Sequence, residues 1–236
     1  AFGGVVELGA PGFVHLHTHT EFSLLDGACR IKDVIKTAAK FEMPSVAITD
    51  HGVMYGNIGF YSEAKAAGIK PILGCEVYVA PRHRTMRDAR LDKEQHHLVL
   101  LAKSEKGYKN LIKMVSIAFS EGFYYKPRVD KELLAQYSDE LIALTACLGG
   151  EIPHHIMKNN VEQVEKSLGE YLDIFGKDNF YLEVMDNGLP EQKTVNDALV
   201  DMAARTGLKL VATNDIHYTT RKDAEAHDVL LCIQTA

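Results

Sequence analysis

Short apolar, β-branched runs alternate with helical patterns along almost the whole chain, and that alternation confines it to an α/β architecture. The patterning predicts strands over 13–19, 45–51, 71–80, 97–103, 141–147, 180–185 and 209–217. Between them it predicts helices over 31–41, 57–67, 108–119, 131–137, 161–175 and 191–205, with another from 221 onward. In the fifth of these helices Val161, Val164, Leu168, Leu172 and Phe175 recur at three and four residues, the mark of one buried face. Gly68, Gly176 and Gly207 follow helical runs, where a left-handed C-terminal cap belongs. Seven βα units predict a mostly parallel sheet with helices outside. In 236 residues a barrel of about seven strands accommodates them better than an open sheet. No internal repeat or low-complexity linker divides the chain, so a single domain over 13–236 is expected, with 1–12 as a lead segment.

Composition narrows the function. With 46% apolar and 25% charged residues the chain is globular in character, and no apolar run reaches the ~20 residues of a membrane helix. The net charge of −6 excludes a protein that coats nucleic acid through a generally basic surface. It leaves room for a local site made positive by bound metal. Cys29, Cys75, Cys147 and Cys232 are far apart and form no CxxC, which reads as reduced thiols in a cytoplasmic protein. The N-terminus lacks a basic stretch followed by an apolar one, so no signal peptide is expected. The sequence starts without Met and ends within a helical pattern, which reads as a piece of a longer chain.

Two polar segments interrupt the alternation. Residues 82–95 (RHRTMRDARLDKEQ) predict a long loop, and residues 121–128 (EGFYYKPR) join paired tyrosines to Lys126 and Arg128. Both suit an ordinary solvated surface. They equally suit a rim of cationic and stacking groups beside a site that takes a nucleic-acid end, with Arg82, Arg84, Lys126 and Arg128 as phosphate contacts.

The chemistry lies at strand ends. In His15-Leu16-His17-Thr18-His19 a strand would put all three imidazoles on one face. A lone buried histidine is usually a satisfied core residue, whereas three together favour a metal. One two-residue step is roughly 6.6 Å, too long for a single ion to take all three. Sites in α/β barrels gather at the C-terminal ends of strands. His17 and His19 are therefore the expected ligands, and His15 is expected to pack deeper in the barrel. The second strand ends Thr49-Asp50-His51-Gly52, the fifth Thr145-Ala146-Cys147 and the seventh Asn214-Asp215-Ile216-His217. Glu76 sits within an apolar strand, where an unpaired carboxylate is costly, and Asp26 follows the first strand. Each has an ordinary reading alone: a turn, a small hydrophobe, half of an ion pair. Together at one barrel mouth they suit Zn²⁺ or Mn²⁺ and exceed what one tetrahedral ion needs.

The stretch FVHLHTHTEFSLLDGA resembles the opening motif of the polymerase-and-histidinol-phosphatase (PHP) domain, in the form found at the N-terminus of bacterial replicative DNA polymerase III α subunits. VAITDHGVMYG, KPILGCEVYVAP, HHLVLLAKSEKGYKNL, GFYYKPRVD, LTACLGGEI and LVATNDIHY continue the resemblance in the same order from Phe13 to the end. It implies a distorted (β/α)7 barrel of the PHP type. It implies metal ligands at His17, His19, Asp26, His51, Glu76, His97, Cys147, Asp215 and His217, a complete set for up to three ions, Zn²⁺ or Mn²⁺. His96 stands beside His97 as an alternative. His97 opens its predicted strand, so to reach the common mouth that strand must be reversed or the barrel distorted.

By the same resemblance the expected activity is 3′→5′ exonuclease proofreading of DNA, with His19, His51 and Asp215 acting through the bound ions and Asp50 orienting a ligand from behind. The expected partners are a DNA 3′ end, the remainder of the polymerase α subunit, a separate proofreading subunit and other replisome proteins, in the cytoplasm. Two other functions compete: a phosphomonoesterase of the histidinol-phosphatase kind, and a metal-stabilised scaffold that docks partners without catalysis of its own. Nothing in the 236 residues resembles the polymerase's catalytic carboxylates, so this chain alone is not expected to synthesise DNA.

Overall fold

The computed structural model of the chain describes residues 12–24 and 26–234. Most of the lead segment, Leu25 of the LLDG motif and the last two residues of the predicted final helix lie outside the described residues. In chain order the elements are α1 (Ile31–Lys40), β1 (Ser45–Ile48), α2 (Asn57–Ala66), β2 (Lys70–Val79), β3 (His96–Ala102), α3 (Glu105–Ser120), β4 (Arg128–Val129), α4 (Lys131–Tyr137), β5 (Leu141–Leu144), α5 (Glu151–Met157), α6 (Val161–Phe175), β6 (Phe180–Met185), α7 (Pro190–Thr206), β7 (Lys209–Thr213) and α8 (Ala224–Gln234). The strands form one sheet in the order β1-β2-β3-β5-β6-β7, with β4 alongside β2. Among the described residues no helix is long and apolar enough to cross a membrane.

The pairing is parallel except at β3, which runs antiparallel to both β2 and β5. Its reversal brings the first residues of β3 to the end of the sheet where the other strands finish, and Tyr78 near the end of β2 pairs with His97.

Residues 13–19, expected as a strand, form no regular one. The segment instead runs extended between the two ends of the sheet path. Ala47 and Thr49 donate to the carbonyls of His15 and Thr18 (2.8 and 2.9 Å), while His19 donates to Ile216 O (2.7 Å) and Ile216 to His17 O (3.1 Å). It thereby joins the β1 edge to the chain leaving β7 and closes the sheet into a distorted barrel. Leu16 packs against a small cluster of strand residues inside, Ala47, Val99, Leu101, Leu144 and Ala146. The larger core lies outside the sheet, where α3 to α7 lay their apolar faces on β2, β3, β5 and β6.

Local chemistry sets the helix ends. Ser104 caps α3 by accepting from Gly107 N (3.3 Å), so the helix starts at Glu105, ahead of the predicted 108. Gly107 is required there, since a Cβ would lie 2.1 Å from the carbonyl oxygen of Glu140. Gly68, Gly176 and Gly207 all have positive φ; Gly207 is the left-handed cap expected, whereas Gly176, at ψ 159°, lies outside the left-handed helical region. Helix α5 was not foreseen. Its Pro153 reads as a breaker but sits in the first turn, where the missing N–H costs nothing.

The loop over 82–95 is present, and the three arginines expected as phosphate contacts are engaged within the protein. Arg128 is fully buried on β4, and its guanidinium donates to the carbonyls of Gly122 (3.0 Å), Asp92 (3.1 Å), Arg84 (2.9 Å) and Met86 (2.8 Å). This corrects the expectation of a phosphate contact at Arg128: it is a clamp that supplies donors to a loop lacking a strand partner. Arg82 is likewise engaged by Asp92 (2.8 and 2.6 Å), and Arg84 by Asp130 (3.0 Å) and Glu121 (2.9 Å). Arg128→Met should leave these carbonyls unpaired and cost about 3 kcal/mol. The thermal midpoint should then fall by roughly 6–12 °C, and limited proteolysis should cut first within 82–95. An unchanged midpoint would refute the clamp.

Candidate metal centre

Glu76 sits near the end of β2, 1% exposed, and four imidazoles converge on its carboxylate. His51 Nδ1 is 2.6 Å from Oε2, His97 Nδ1 3.1 Å from Oε1, His17 Nε2 3.3 Å from Oε1 and His19 Nε2 3.6 Å from Oε2. Asp215 Oδ1 adds a second acceptor, 3.3 Å from His17 Nε2, 3.2 Å from His19 Nε2 and 3.5 Å from His217 Nδ1. Asp26 Oδ2 lies 3.3 Å from His51 Nε2, and Cys147 Sγ 3.8 Å from His97 Nδ1. The nine residues singled out in the sequence thus form one connected cluster at the barrel mouth.

Backbone geometry delivers them. Glu76 and His51 are joined by a parallel bridge, with Gly52 N donating to Glu76 O at 2.8 Å. The chain leaving β5 turns through Ala146 at φ 61° and the chain leaving β7 through Asp215 at φ 46°. Non-glycine residues rarely adopt that left-handed region, and such strain concentrates at functional sites. His217 and His51 both stack on His19, at 4.3 and 4.0 Å, and lie 5.7 Å from each other.

The electrostatics are those of ligands without their ion. Burial opposes charge on His17, but Asp215, Glu183 and Glu76 outweigh it and hold its pKa well above the ordinary value. His51 is treated the same way, burial being overcome by Glu76 and Asp26, and is lifted to about 10. His19 goes the other way, lowered to about 3 by burial and by its neighbour His51. Glu76 and Asp215 are pulled down by the imidazoles in spite of burial. The Cys147 thiol is pushed well up by burial and then by Glu76 and Asp215.

Seven buried atoms of this cluster lie close to one another without well-directed hydrogen bonds: His17 Nε2, His19 Nε2, Asp26 Oδ1, His51 Nδ1, both Glu76 oxygens and Asp215 Oδ1. Buried polar atoms are normally satisfied, and these nitrogens and oxygens are of the kinds that ligate a divalent cation. Three subsets each place ligand atoms of three residues within 4.8 Å of one another: His19, His51 and His217; His17, His19 and Glu76; His51, Glu76 and His97. Mixed imidazole and carboxylate donors, with one thiol close by, fit Zn²⁺ or Mn²⁺.

A second layer backs the imidazoles. Asp50, buried, accepts from Thr20 N (2.6 Å), Thr20 Oγ1 (2.8 Å) and Ser23 Oγ (2.7 Å), and Ser23 Oγ in turn lies 3.1 Å from His19 Nδ1. Asp50 therefore reaches His19 through Ser23. Glu183, overlooked in the sequence, lies 2.8 Å from His17 Nδ1. Its signal was the same as that of Glu76, a carboxylate inside an apolar strand.

His96 faces elsewhere. It is buried against His154 (4.7 Å) and His155 (5.9 Å) beside a separate cleft of about 610 Å³, so His97 is the residue at the mouth. His15 is not deep in the barrel as expected. Because the segment is irregular, it is only half buried, stacks edge-on with Phe13 (4.9 Å) and borders a small cavity shared with Val34 and Phe41 of the α1 region. Of the predicted basic contacts, Lys126 alone stands by the mouth, its Nζ 5.4 Å from the centroid of Tyr78, whose ring neighbours His51 and His97.

Residues 15–187 match the family described as the PHP domain, and the chain belongs to that family. It is 48% identical over 224 residues to DNA polymerase III subunit alpha of Borreliella burgdorferi and 49% identical over 227 residues to that of Thermus aquaticus, each match covering 94% of this chain. The chain is thus of the PHP type that DNA polymerase III α subunits carry, and it spans about a fifth of the length of these relatives (19% and 18%). Among solved structures, a Bifidobacterium adolescentis protein described as a metal-dependent phosphoesterase shares the fold at a TM-score of 0.52 and 18% identity, covering 86% of this chain and 87% of its own. An amidohydrolase from Chromobacterium violaceum does so at a TM-score of 0.56 and 15% identity, covering 92% and 96%.

Metal uptake should release protons. At pH 7.5 His51, lifted to about 10, carries a proton that a ligand must lose, as does the Cys147 thiol. Titrating Zn²⁺ into chelator-stripped protein should therefore release about one proton from His51 and one from the thiol. Calorimetry in buffers of different ionisation enthalpy measures this directly. Affinity should weaken as pH falls, because protons then compete for the same nitrogens.

Proposed function

We propose that the mouth cluster holds up to three divalent ions, Zn²⁺ or Mn²⁺, and that the domain hydrolyses phosphodiesters at the 3′ end of DNA. The ligands in this reading are His17, His19, Asp26, His51, Glu76, His97, Cys147, Asp215 and His217, within a single domain over 13–236. The observation that carries it is the set of seven buried atoms without well-directed hydrogen bonds gathered around Glu76. Bound divalent ions would lower the pKa of water and offset charge on the phosphoester oxygens. The chain's own contribution is orientation. His19, His51 and Asp215 hold the centre of the cluster, Asp50 keeps His19 in place through Ser23, and Lys126 offers a cation to an incoming phosphate beside Tyr78. The surrounding acidic chain makes a focused site the more reasonable route to an anionic substrate.

Two further facts support the choice of DNA: the relatives are DNA polymerase subunits, and one fold neighbour is described as a metal-dependent phosphoesterase. In this reading the remainder of an α subunit is the covalent neighbour, a separate proofreading subunit and other replisome proteins are the wider partners, and the location is the cytoplasm. The alternative is a metal-braced scaffold, favoured by the number of elements the cluster ties together: the 13–20 segment, β2, β3 and the chain leaving β1, β5 and β7.

The test is incubation of the Zn²⁺- or Mn²⁺-loaded chain with 3′-labelled and 5′-labelled single-stranded DNA. Stepwise loss of nucleotides from the 3′ end is expected, roughly a hundredfold slower in Asp215→Asn. Absence of cleavage by protein shown to contain two or three ions would favour the scaffold.

A further inference from the structure

Glu183 is the strangest residue in β6. It is fully buried in a strand that otherwise reads Phe-Tyr-Leu-x-Val-Met, and among the described residues its carboxylate is paired with no lysine or arginine. A buried carboxylate without a cation is costly, and an apolar residue of similar size would serve the core better. Its surroundings are nevertheless built around it. Thr213 on β7 donates its hydroxyl to Glu183 Oε1 at 2.5 Å, and the same oxygen lies 2.8 Å from His17 Nδ1. On the other side, Glu183 N donates to Thr145 Oγ1 at 2.8 Å, just beyond the end of β5. Thr145 therefore holds the backbone of Glu183 and Thr213 one oxygen of its carboxylate, and that oxygen faces a single imidazole.

The consequence lies on the far side of that ring. A neutral His17 that donates Nδ1–H to Glu183 offers its lone pair at Nε2. Nε2 is the atom that faces Glu76 Oε1 and Asp215 Oδ1, each at 3.3 Å, without a well-directed hydrogen bond. His19 is arranged in the same manner by a different residue, its Nδ1 turned to Ser23 and Asp50 and its Nε2 to the cluster. We propose that Glu183, braced by Thr213, is a positioning residue that holds His17 as its Nδ1–H tautomer and aims Nε2 at a bound metal ion. The inference rests on the metal reading given above. Glu183 touches neither ion nor substrate; it acts on the ligand, as hydrogen-bonded carboxylates behind metal-bound imidazoles do.

The test compares Glu183→Leu, Glu183→Gln and Thr213→Val with the parent chain by two measurements. The first is Zn²⁺ affinity by competition with a chromophoric chelator. Glu183→Leu should bind roughly 10–100-fold more weakly. Glu183→Gln, whose amide oxygen still accepts from Nδ1–H, should recover much of that loss, and Thr213→Val should fall between it and the parent. The second is the ¹⁵N spectrum of His17 in the Zn²⁺-loaded protein: an Nδ1–H pattern in the parent and in Glu183→Gln, lost in Glu183→Leu. A purely structural role would lower the thermal midpoint equally with and without metal and leave both readouts unchanged. A folded Glu183→Leu with parental affinity and an unaltered His17 pattern overturns the proposal. Should Glu183→Leu fail to fold, parental affinity in both Thr213→Val and Glu183→Gln together with an altered His17 tautomer in Glu183→Gln does the same. A parent chain that takes up no Zn²⁺ ends both this proposal and the metal reading, whereas metal uptake unaffected by these changes ends this one alone.

Discussion

A carboxylate with 1% exposure surrounded by four imidazoles is the constraint around which the molecule is arranged. Glu76 cannot be buried as an isolated anion. The histidines that approach it come from the closing segment, the end of β1 and the start of β3, so neutralising one group demands that these pieces meet. The carboxylates raise the pKa values of His17 and His51, and the imidazoles in turn lower that of Glu76. The same atoms, deprotonated, are those a divalent cation would use.

Buried polarity elsewhere in the protein is handled differently, and the contrast is informative. Arg128 has four backbone carbonyls for its guanidinium, and Asp50 has three donors for its carboxylate. Those groups are finished by the protein itself. At the mouth, imidazoles and carboxylates crowd together instead, seven of their atoms without well-directed hydrogen bonds, a donor set able to hold a metal ion.

Geometry at strand ends makes this affordable in conformational terms. The left-handed turns at Ala146 and Asp215 and the irregular course of 13–19 each sacrifice regular structure. They are tolerated because rigid strands stand on either side: β5 before Ala146, β7 before Asp215, and β1 beside the closing segment. The reversed β3 belongs to the same economy of placement. A parallel strand would send His97 to the opposite end of the sheet.

Much of this was legible because the residues are chemically out of place. Imidazoles at alternate positions, a glutamate among aliphatics and an Asp-x-His at the end of a strand declare themselves in any sequence, and the alternation declares an α/β fold, the barrel following only with the chain length and the resemblance. Glu183 carried the same signal and was overlooked because no second polar residue in its strand drew attention to it. Arg128 was misread because an arginine in a polar, aromatic-rich stretch reads as surface, and only the path of the 82–95 loop supplies the carbonyls that bury it. What the amino-acid order determined by itself was the identity of the elements and of the groups with no business in a core, since both follow from local periodicity and side-chain chemistry. What the tertiary structure alone decided was strand direction, which of two adjacent histidines faces the mouth and which carboxylate stands behind His17, because each depends on contacts between segments far apart in the chain, here 166 residues for His17 and Glu183.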